Sequence, residues 1–234
     1  MTDNKVALIT AAGKGMGAAC ARELHHSGYR LVLMSPSENV VKLAHELGAV
    51  YLQGSVTDLS ALQRLVELAM SEYGRIDGVV NNTGHAAKGD LLKLTDQQWA
   101  EGFELLFLNV ARMSRLVVPI MSTQGGGSIV NISTFGAIEP TLDFPISSAI
   151  RAGLAGYVKM FSQQYGPMDI RMNNVLPGYI DSYEVNSSMV DNIPLQRPGK
   201  TAEIAKTVKF LLSEDSGYIS GQSITVDGGF TKSI

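Results

Sequence analysis

Thr10-Ala11-Ala12-Gly13-Lys14-Gly15-Met16-Gly17 follows a short apolar run, Val6 to Thr10, and opens a segment of helical period over residues 15–27. A glycine-rich turn between a strand and a helix puts backbone N–H groups at a helix N-terminus, where a pyrophosphate is bound most readily. Gly13 and Gly15 would let the chain approach the anion closely, and Gly17 would let the helix pack tightly on the sheet. Glycine spacing alone also suits a plain tight turn. The strand before it and the helix after it favour the phosphate cradle.

Outward from this turn the pattern repeats. Apolar or β-branched runs at residues 6–10, 30–34, 50–53, 78–81, 128–132, 171–176 and 223–226 alternate with segments of helical period at 15–27, 38–47, 60–73, 96–122, 145–165 and 201–213. Alternating β and α segments build βαβ units on a parallel sheet, so the predicted class is α/β, a Rossmann-like doubly wound sheet of seven strands with helices on both faces. The 234 residues, 45% hydrophobic and 18% charged, suffice for one core. No linker or repeat divides them, so residues 1–234 are read as a single dinucleotide-binding domain. Gly125-Gly126-Gly127 reads as the stop of the fourth helix. The irregular stretch 178–200 would leave a strand at its carboxyl end, where open α/β sheets place ligands, and reads as a substrate loop.

A net charge of -3, dispersed along the chain, carries no footprint for nucleic acid or an anionic membrane. The single cysteine, Cys20, among Ala18, Ala19 and Ala21, reads as a small buried residue and suits a reducing compartment. With no signal-peptide pattern and no spanning stretch, a cytoplasmic protein acting on a small molecule is the expectation.

Several motifs lie in one order along the chain: the glycine turn, Asn81-Asn82-Thr83-Gly84, Leu108-Asn109-Val110, Ile129-Val130-Asn131-Ile132-Ser133, Asn173-Asn174-Val175-Leu176-Pro177-Gly178, and Thr225-Val226-Asp227-Gly228-Gly229. In these motifs the chain resembles the short-chain dehydrogenases/reductases of the compact single-domain branch, with Ala11 where that family carries the first glycine of its turn. The resemblance implies hydride transfer to or from a nicotinamide cofactor. It assigns cofactor contacts to Thr10, Gly13, Lys14, Gly15, Met16, Gly17, Asn82, Thr83, Gly84, Pro177, Gly178, Ile180 and Ser182, with Ser182 at the carboxamide and Ile180 against the nicotinamide ring.

The second strand ends Met34-Ser35-Pro36-Ser37, without the carboxylate that would select NAD. Lys14, Ser35 and Ser37 could hold a 2′-phosphate, so NADP(H) is favoured over NAD(H), although a solvated surface lysine also fits Lys14. Ser55-Val56 stands where the family has Asp-Val at the adenine. The long fourth and fifth helices imply a homo-oligomer, dimer or tetramer, with apolar surface from Trp99, Phe103, Phe107, Leu116, Tyr157 and Phe161.

One family motif is missing: none of the eight tyrosines is followed four residues later by a lysine. Phe144 and Ser148 are assigned to the positions of the absent Tyr-x-x-x-Lys. Ser133 is assigned the substrate-orienting hydroxyl, with Thr134 left as its alternative, and Asn109 a water of the proton relay. For the lost proton donor the residues leave His85, Asp143, Tyr179 and Tyr183 open, and Arg151 for the lost cation. The bland readings are a loop histidine, a helix N-cap at Asp143, packed tyrosines and a surface arginine. Two functions therefore fit: an oxidoreductase with a non-standard site, or a non-catalytic dinucleotide- or metabolite-binding protein.

Overall fold

The computed structural model describes residues 5–233. The strands are β1 (Val6–Ile9), β2 (Arg30–Ser35), β3 (Val50–Gln53), β4 (Gly78–Asn81), β5 (Gly127–Ile132), β6 (Ile170–Pro177) and β7 (Ser223–Val226). All pair in parallel, in the order β3-β2-β1-β4-β5-β6-β7. The expected doubly wound, Rossmann-like α/β sheet is what the chain forms. Its direction of winding reverses between β1 and β4, and the crevice at the carboxyl ends of those two strands is where such sheets bind ligands.

Eight helices connect the described strands: α1 (Gly15–His26), α2 (Asn39–Leu47), α3 (Leu59–Tyr73), α4 (Asp96–Phe103), α5 (Asn109–Thr123), α6 (Pro145–Tyr165), α7 (Ser187–Val190) and α8 (Thr201–Leu212). They cover both faces of the sheet. One core layer joins Leu8, Val79 and Ile129 to α3, α5 and α6. The other joins Ile9, Leu33 and Val80 to α1, α2 and α8. Strands buried on both faces need continuous apolar runs, which explains why β1, β4 and β5 read that way in the sequence. Cys20 lies wholly within the second layer, where burial pushes its thiol up to about 12.

Three local features differ from the sequence expectations. The helix predicted over 96–122 is interrupted by a π-helical turn, Glu104–Leu108, immediately before Asn109, whose amide donates to the Leu105 carbonyl. Residues 96–123 also form, by length and composition, a helical run apolar enough to cross a membrane, which the sequence reading had not found. Val110, Met113, Val117 and Met121 of that run are packed in the core against the sheet. Within 178–200 the chain forms α7, capped by the Asn186 side chain, which accepts from the Met189 N–H at 3.0 Å.

The glycines after α5 stop that helix as expected: Gly125 and Gly126 take φ of 92° and 135°, conformations that favour glycine, before β5 begins at Gly127. Across the sheet, Asn81, Asn131, Asn174 and Ser223 occupy one register row. Asn81 Nδ2 donates to Asn131 Oδ1 at 2.9 Å, Asn131 Nδ2 to Asn174 Oδ1 at 3.0 Å, and Asn174 Nδ2 to Ser223 Oγ at 3.2 Å. This row, buried at its three asparagines, ties β4, β5 and β6, whose carboxyl ends frame the site, to β7.

Candidate active site

The cradle after β1 is shaped by close approach. A Cβ at Gly17 would stand 2.4 Å from the Ala11 carbonyl oxygen and 2.7 Å from Asn82 Nδ2, so only glycine lets α1 pack there. Gly15 has φ +56°, and a Cβ on it would lie 3.4 Å from Ser182 Cβ, across the opening. A Cβ at Gly13 would come within 2.8 Å of Ser37 Oγ and 3.0 Å of Ser35 Oγ, which brings the end of β2 against the cradle. Ala11, at the position of the family's first glycine, has φ 46°.

Thr10 does not point its hydroxyl into the cradle. Its Oγ1 donates to the Asn82 carbonyl at 2.7 Å and accepts from the Asn82 N–H at 3.0 Å. Asn82 Nδ2 in turn donates to the Ala11 carbonyl at 3.2 Å. These bonds hold the exits of β1 and β4 together at the switch point. A dinucleotide fits this cradle: backbone lies open at the N-terminus of α1, and side chains are excluded by the contacts just given.

On the outer side of the cradle is a cavity of about 540 Å³ lined in part by Gly13, Lys14, Arg22, Lys42 and Ser182. Arg22 is engaged by Glu46 at 2.8 Å. Among the described residues Lys14 and Lys42 enter no ion pair, so they are the free cations of this cavity. Just beyond β3, Ser55 Oγ shares a hydrogen bond of 2.8 Å with Thr57 Oγ1, and Val56 is buried.

Past Met16 a second cavity, of about 500 Å³, opens over the carboxyl ends of β4, β5 and β6. It collects residues from across the sequence: Asn82, Thr83, Gly84 and His85 after β4, Ser133 and Thr134 after β5, Ser147 and Arg151 from α6, Pro177 at the end of β6, and Gly178, Ile180 and Tyr183 after it. The β6 exit is fixed by Gly178 N–H donating to Val226 at 3.0 Å and by a bridge between Ile180 and Gly199. Asp181 Oδ1 accepts from the Thr201 N–H at 2.8 Å and anchors the loop to the start of α8.

The ambiguity between Ser133 and Thr134 resolves in the hydrogen bonding. Thr134 Oγ1 accepts from the Gly136 N–H at 3.3 Å and caps the 3-10 turn Phe135–Ala137. Ser133 Oγ is enclosed and has no partner among the described residues, while its backbone N–H donates to the Val175 carbonyl. A buried hydroxyl without a partner is a group held for something else.

The assignment of Phe144 and Ser148 to the absent pair is corrected by the rotation of α6. Ser148 is 2% exposed and does not line the cavity; its Oγ accepts from the Thr141 N–H at 3.3 Å and lies 2.7 Å from where a Gly136 Cβ would be. The residues four apart on α6 that face the cavity are Ser147 and Arg151. The apolar stripe of this helix, Phe161, Val158 and Leu154, extends back through Arg151 to Ser147 at alternating spacings of three and four. That periodicity was the sequence signal for both.

Arg151 is therefore not a surface arginine. It is 4% exposed, its Nη1 has no partner among the described residues, and burial pulls the guanidinium down to about 10. Asp143 is exposed and does not cap α6, whose N-cap residue is Phe144 without a side-chain cap. Phe144 instead lies edge-on to Phe135 at 5.7 Å, with Lys88 Nζ 5.4 Å above its ring. Phe135, Tyr179 and Phe230 pack mutually at 5.0 to 5.6 Å, with Phe144, Val185 and Met189 against them, and form an aromatic wall that the sequence reading did not foresee.

The titratable candidates differ in kind. His85 lies at the exposed rim, where desolvation and the nearby cations Lys88, Lys14 and Arg151 hold its imidazole below the ordinary range. Burial, with Asp143 nearby, raises the Tyr179 phenol, and burial pushes the Tyr183 phenol up to about 12. At neutral pH the histidine is thus an uncharged imidazole, and both tyrosines keep their protons.

The sequence family described as Enoyl-(Acyl carrier protein) reductase matches residues 10–231. The chain is 35% identical to a 7alpha-hydroxysteroid dehydrogenase of Bacteroides fragilis, over 98% of this chain and 95% of that protein. It is 32% identical to the 3-oxoacyl-[acyl-carrier-protein] reductase FabG of Thermotoga maritima, over 97% of this chain and 98% of that protein. It is also 32% identical to the human dehydrogenase/reductase SDR family member 4, over 97% of this chain and 87% of that protein.

Proposed function

The chain belongs to the short-chain dehydrogenase/reductase family, and from that premise we propose that it is an NADP(H)-dependent oxidoreductase acting on a small carbonyl, alcohol or activated double bond. The family's tyrosine and lysine are absent from its site. The observation that carries this reading is that Met16, the cradle residue next to Gly15, lines a cavity that also contains the Ser133 hydroxyl, unpartnered among the described residues. Relatives named for a hydroxysteroid and for a 3-oxoacyl group support a carbonyl or alcohol as the reacting function.

In this reading Gly13, Gly15, Met16 and Gly17 hold the pyrophosphate on backbone N–H groups, and Thr10 shapes the crevice by holding the exits of β1 and β4 together through Asn82. Lys14, Ser35 and Ser37 hold the 2′-phosphate, and the free cations of the outer cavity support that preference. Ser55 and Val56 face the adenine. Asn82, Thr83, Gly84, Pro177, Gly178, Ile180 and Ser182 surround the nicotinamide end. The bound nicotinamide supplies or accepts a hydride. Ser133 donates its free hydroxyl to the reacting oxygen, and Asn109, set by the π-helical turn, holds a water that carries protons between cavity and solvent.

Proton transfer is where this site departs. An uncharged imidazole has an open acceptor nitrogen, so His85 is assigned the base in alcohol oxidation rather than the acid in reduction, and its lowered pKa makes it a weak one. Loss of a positioned acid lowers carbonyl reduction by roughly 10²–10⁴-fold, which slows the reaction without abolishing it. We further read the protein as a cytoplasmic homo-oligomer, dimer or tetramer, supported by the incompletely buried Phe103, Phe107 and Tyr157 along α4 to α6.

The test is nucleotide binding followed by turnover. NADPH is expected to bind at least about tenfold more tightly than NADH, with Lys14→Ala reducing only the former. At least one member of a panel of aldehydes, ketones, enones and alcohols should change the nicotinamide absorbance. Binding of NADPH without turnover of any of them would leave the non-catalytic dinucleotide-binding function instead.

A further inference from the structure

The chain after β7 folds back over the substrate loop. Asp227 Oδ1 accepts from the Gly229 N–H at 2.9 Å, and its Oδ2 accepts from the Thr231 N–H at 2.8 Å and from the Thr231 hydroxyl at 2.7 Å. These bonds bend residues 227–231 into a turn, with φ of +67° at Gly228 and +84° at Gly229. The turn lies against both ends of the loop. A Cβ at Gly178 would stand 2.7 Å from Asp227 Cβ, one at Gly228 2.9 Å from Ile193 Cγ2, and one at Gly229 3.2 Å from Pro194 Cγ. The Leu195 N–H donates to the Gly228 carbonyl at 3.2 Å.

Beyond the turn the tail reaches the exit of β5. Phe230 packs edge-on to Phe135 at 5.0 Å and to Tyr179 at 5.1 Å, so it touches the β5 exit and the substrate loop at once. The Glu139 carboxylate, four residues past Phe135, accepts from the backbone N–H groups of Lys232 and Ser233. Hydrogen bonds to an ionised acceptor are roughly twice as strong as neutral ones. Phe135, Tyr179 and Ile193 form a small core apart from the two sheet layers, with Phe144, Val185, Met189 and Phe230 packed on it. Of these residues Phe135, Phe144, Tyr179 and Met189 line the cavity, whereas Phe230 and Glu139 do not. A loop held by so few apolar contacts opens at a lower free energy than the sheet beneath it. Its position therefore depends on each contact that closes this core.

We propose that Phe230 and Glu139 are positioning residues for the substrate. Phe230 wedges the substrate loop against the β5 exit, and Glu139 fastens the tail that carries Phe230. Together they keep Tyr179 and Met189 on the cavity wall and set the width of the site. The inference rests on the oxidoreductase reading only in taking this cavity as the substrate's.

Hydrogen exchange read by mass spectrometry over residues 183–195, with β4 and β5 as reference, tests the fastening. Phe230→Ala and Glu139→Ala are expected to speed exchange in 183–195 at least about tenfold and to leave the reference strands within about twofold. Phe230→Leu keeps an apolar wedge and Glu139→Gln keeps an acceptor oxygen, so each should recover part of the protection. NADPH should bind all four variants within about twofold of the parent protein. For a carbonyl of the panel that turns over, both alanine variants should raise KM at least about fivefold while kcat changes less. Unchanged exchange in 183–195 overturns the proposal, and so does an acceleration shared equally by β4 and β5, because the tail would then support the whole domain. Faster loop exchange with an unaltered KM also overturns it, since the loop's position would not matter to the substrate. If the parent protein binds no NADPH, the oxidoreductase reading fails, and the exchange comparison still decides whether the tail holds the loop.

Discussion

Ser147 and Arg151 stand four residues apart on α6 and face one cavity, while Ser148 between them is turned against the Phe135–Ala137 turn. The pair that lines the site thus consists of a hydroxyl and a permanent cation. It lies three residues beyond the register that Phe144 and Ser148 would define.

This register predicts opposite outcomes for two double variants. Phe144→Tyr with Ser148→Lys buries an ammonium behind the turn at Gly136 and should lower stability by about 3 kcal/mol with no gain in turnover. Ser147→Tyr with Arg151→Lys puts a phenol beside an amine in the cavity and should raise carbonyl reduction by roughly 10²-fold. Denaturant titration and steady-state rates on both proteins check this, and a gain from the first pair would refute the rotation assigned to α6.

The asparagine row across β4, β5 and β6 should be a concentrated source of stability. Asn131→Leu leaves Asn81 Nδ2 and Asn174 Oδ1 buried without partners, at a cost of about 3 kcal/mol. The shift of the urea midpoint at constant slope measures it. A change under about 0.5 kcal/mol would mean that the row is not sealed from water.

Ala11 occupies a left-handed conformation that glycine adopts freely, with φ 46°. Ala11→Gly should therefore stabilise the protein, by about 1 kcal/mol less the extra entropy of the unfolded glycine. Because the Ala11 carbonyl still accepts from Asn82 Nδ2, nucleotide affinity should not fall. Equilibrium unfolding with a parallel NADPH titration tests both parts.

His85 should titrate below the ordinary histidine value of about 6.5. Between its lowered folded value and that unfolded value the unfolded chain binds more protons, so the contribution of His85 to stability is complete above the unfolded value. It is lost as pH falls toward the folded one. Lys88→Met removes one of the cations responsible and should move the imidazole midpoint upward, as followed by NMR. An unmoved midpoint would exclude Lys88 as a cause.

How far the sequence reached can be seen element by element. β3, β4 and β7 have the predicted bounds, and the other strands differ by a single residue at one or both ends, because each apolar or β-branched run is bounded by turn residues. The cradle was legible because its glycines meet a local steric demand between a strand and a helix. Asn109 was legible as an interruption because a polar residue amid Leu106, Phe107, Leu108 and Val110 has no place on a packed face. Arg151 and Asp143 were misjudged because exposure is not a local property. The asparagine row likewise arises from pairing across long separations.

By itself the sequence determined the architecture, the switch point and the absence of a Tyr-x-x-x-Lys pair, since strand and helix periods, glycine turns and residue identities are written along the chain. Only the tertiary structure decided that Ser133 rather than Thr134 keeps a free hydroxyl, and that Arg151 rather than Ser148 reaches the cavity. The rotation of α6 is fixed by contacts remote in sequence, with Ile146 beneath Gly102 and Ser148 beneath Gly136. A helix turns about 100° per residue, so a small change in that packing selects a different side chain for the site.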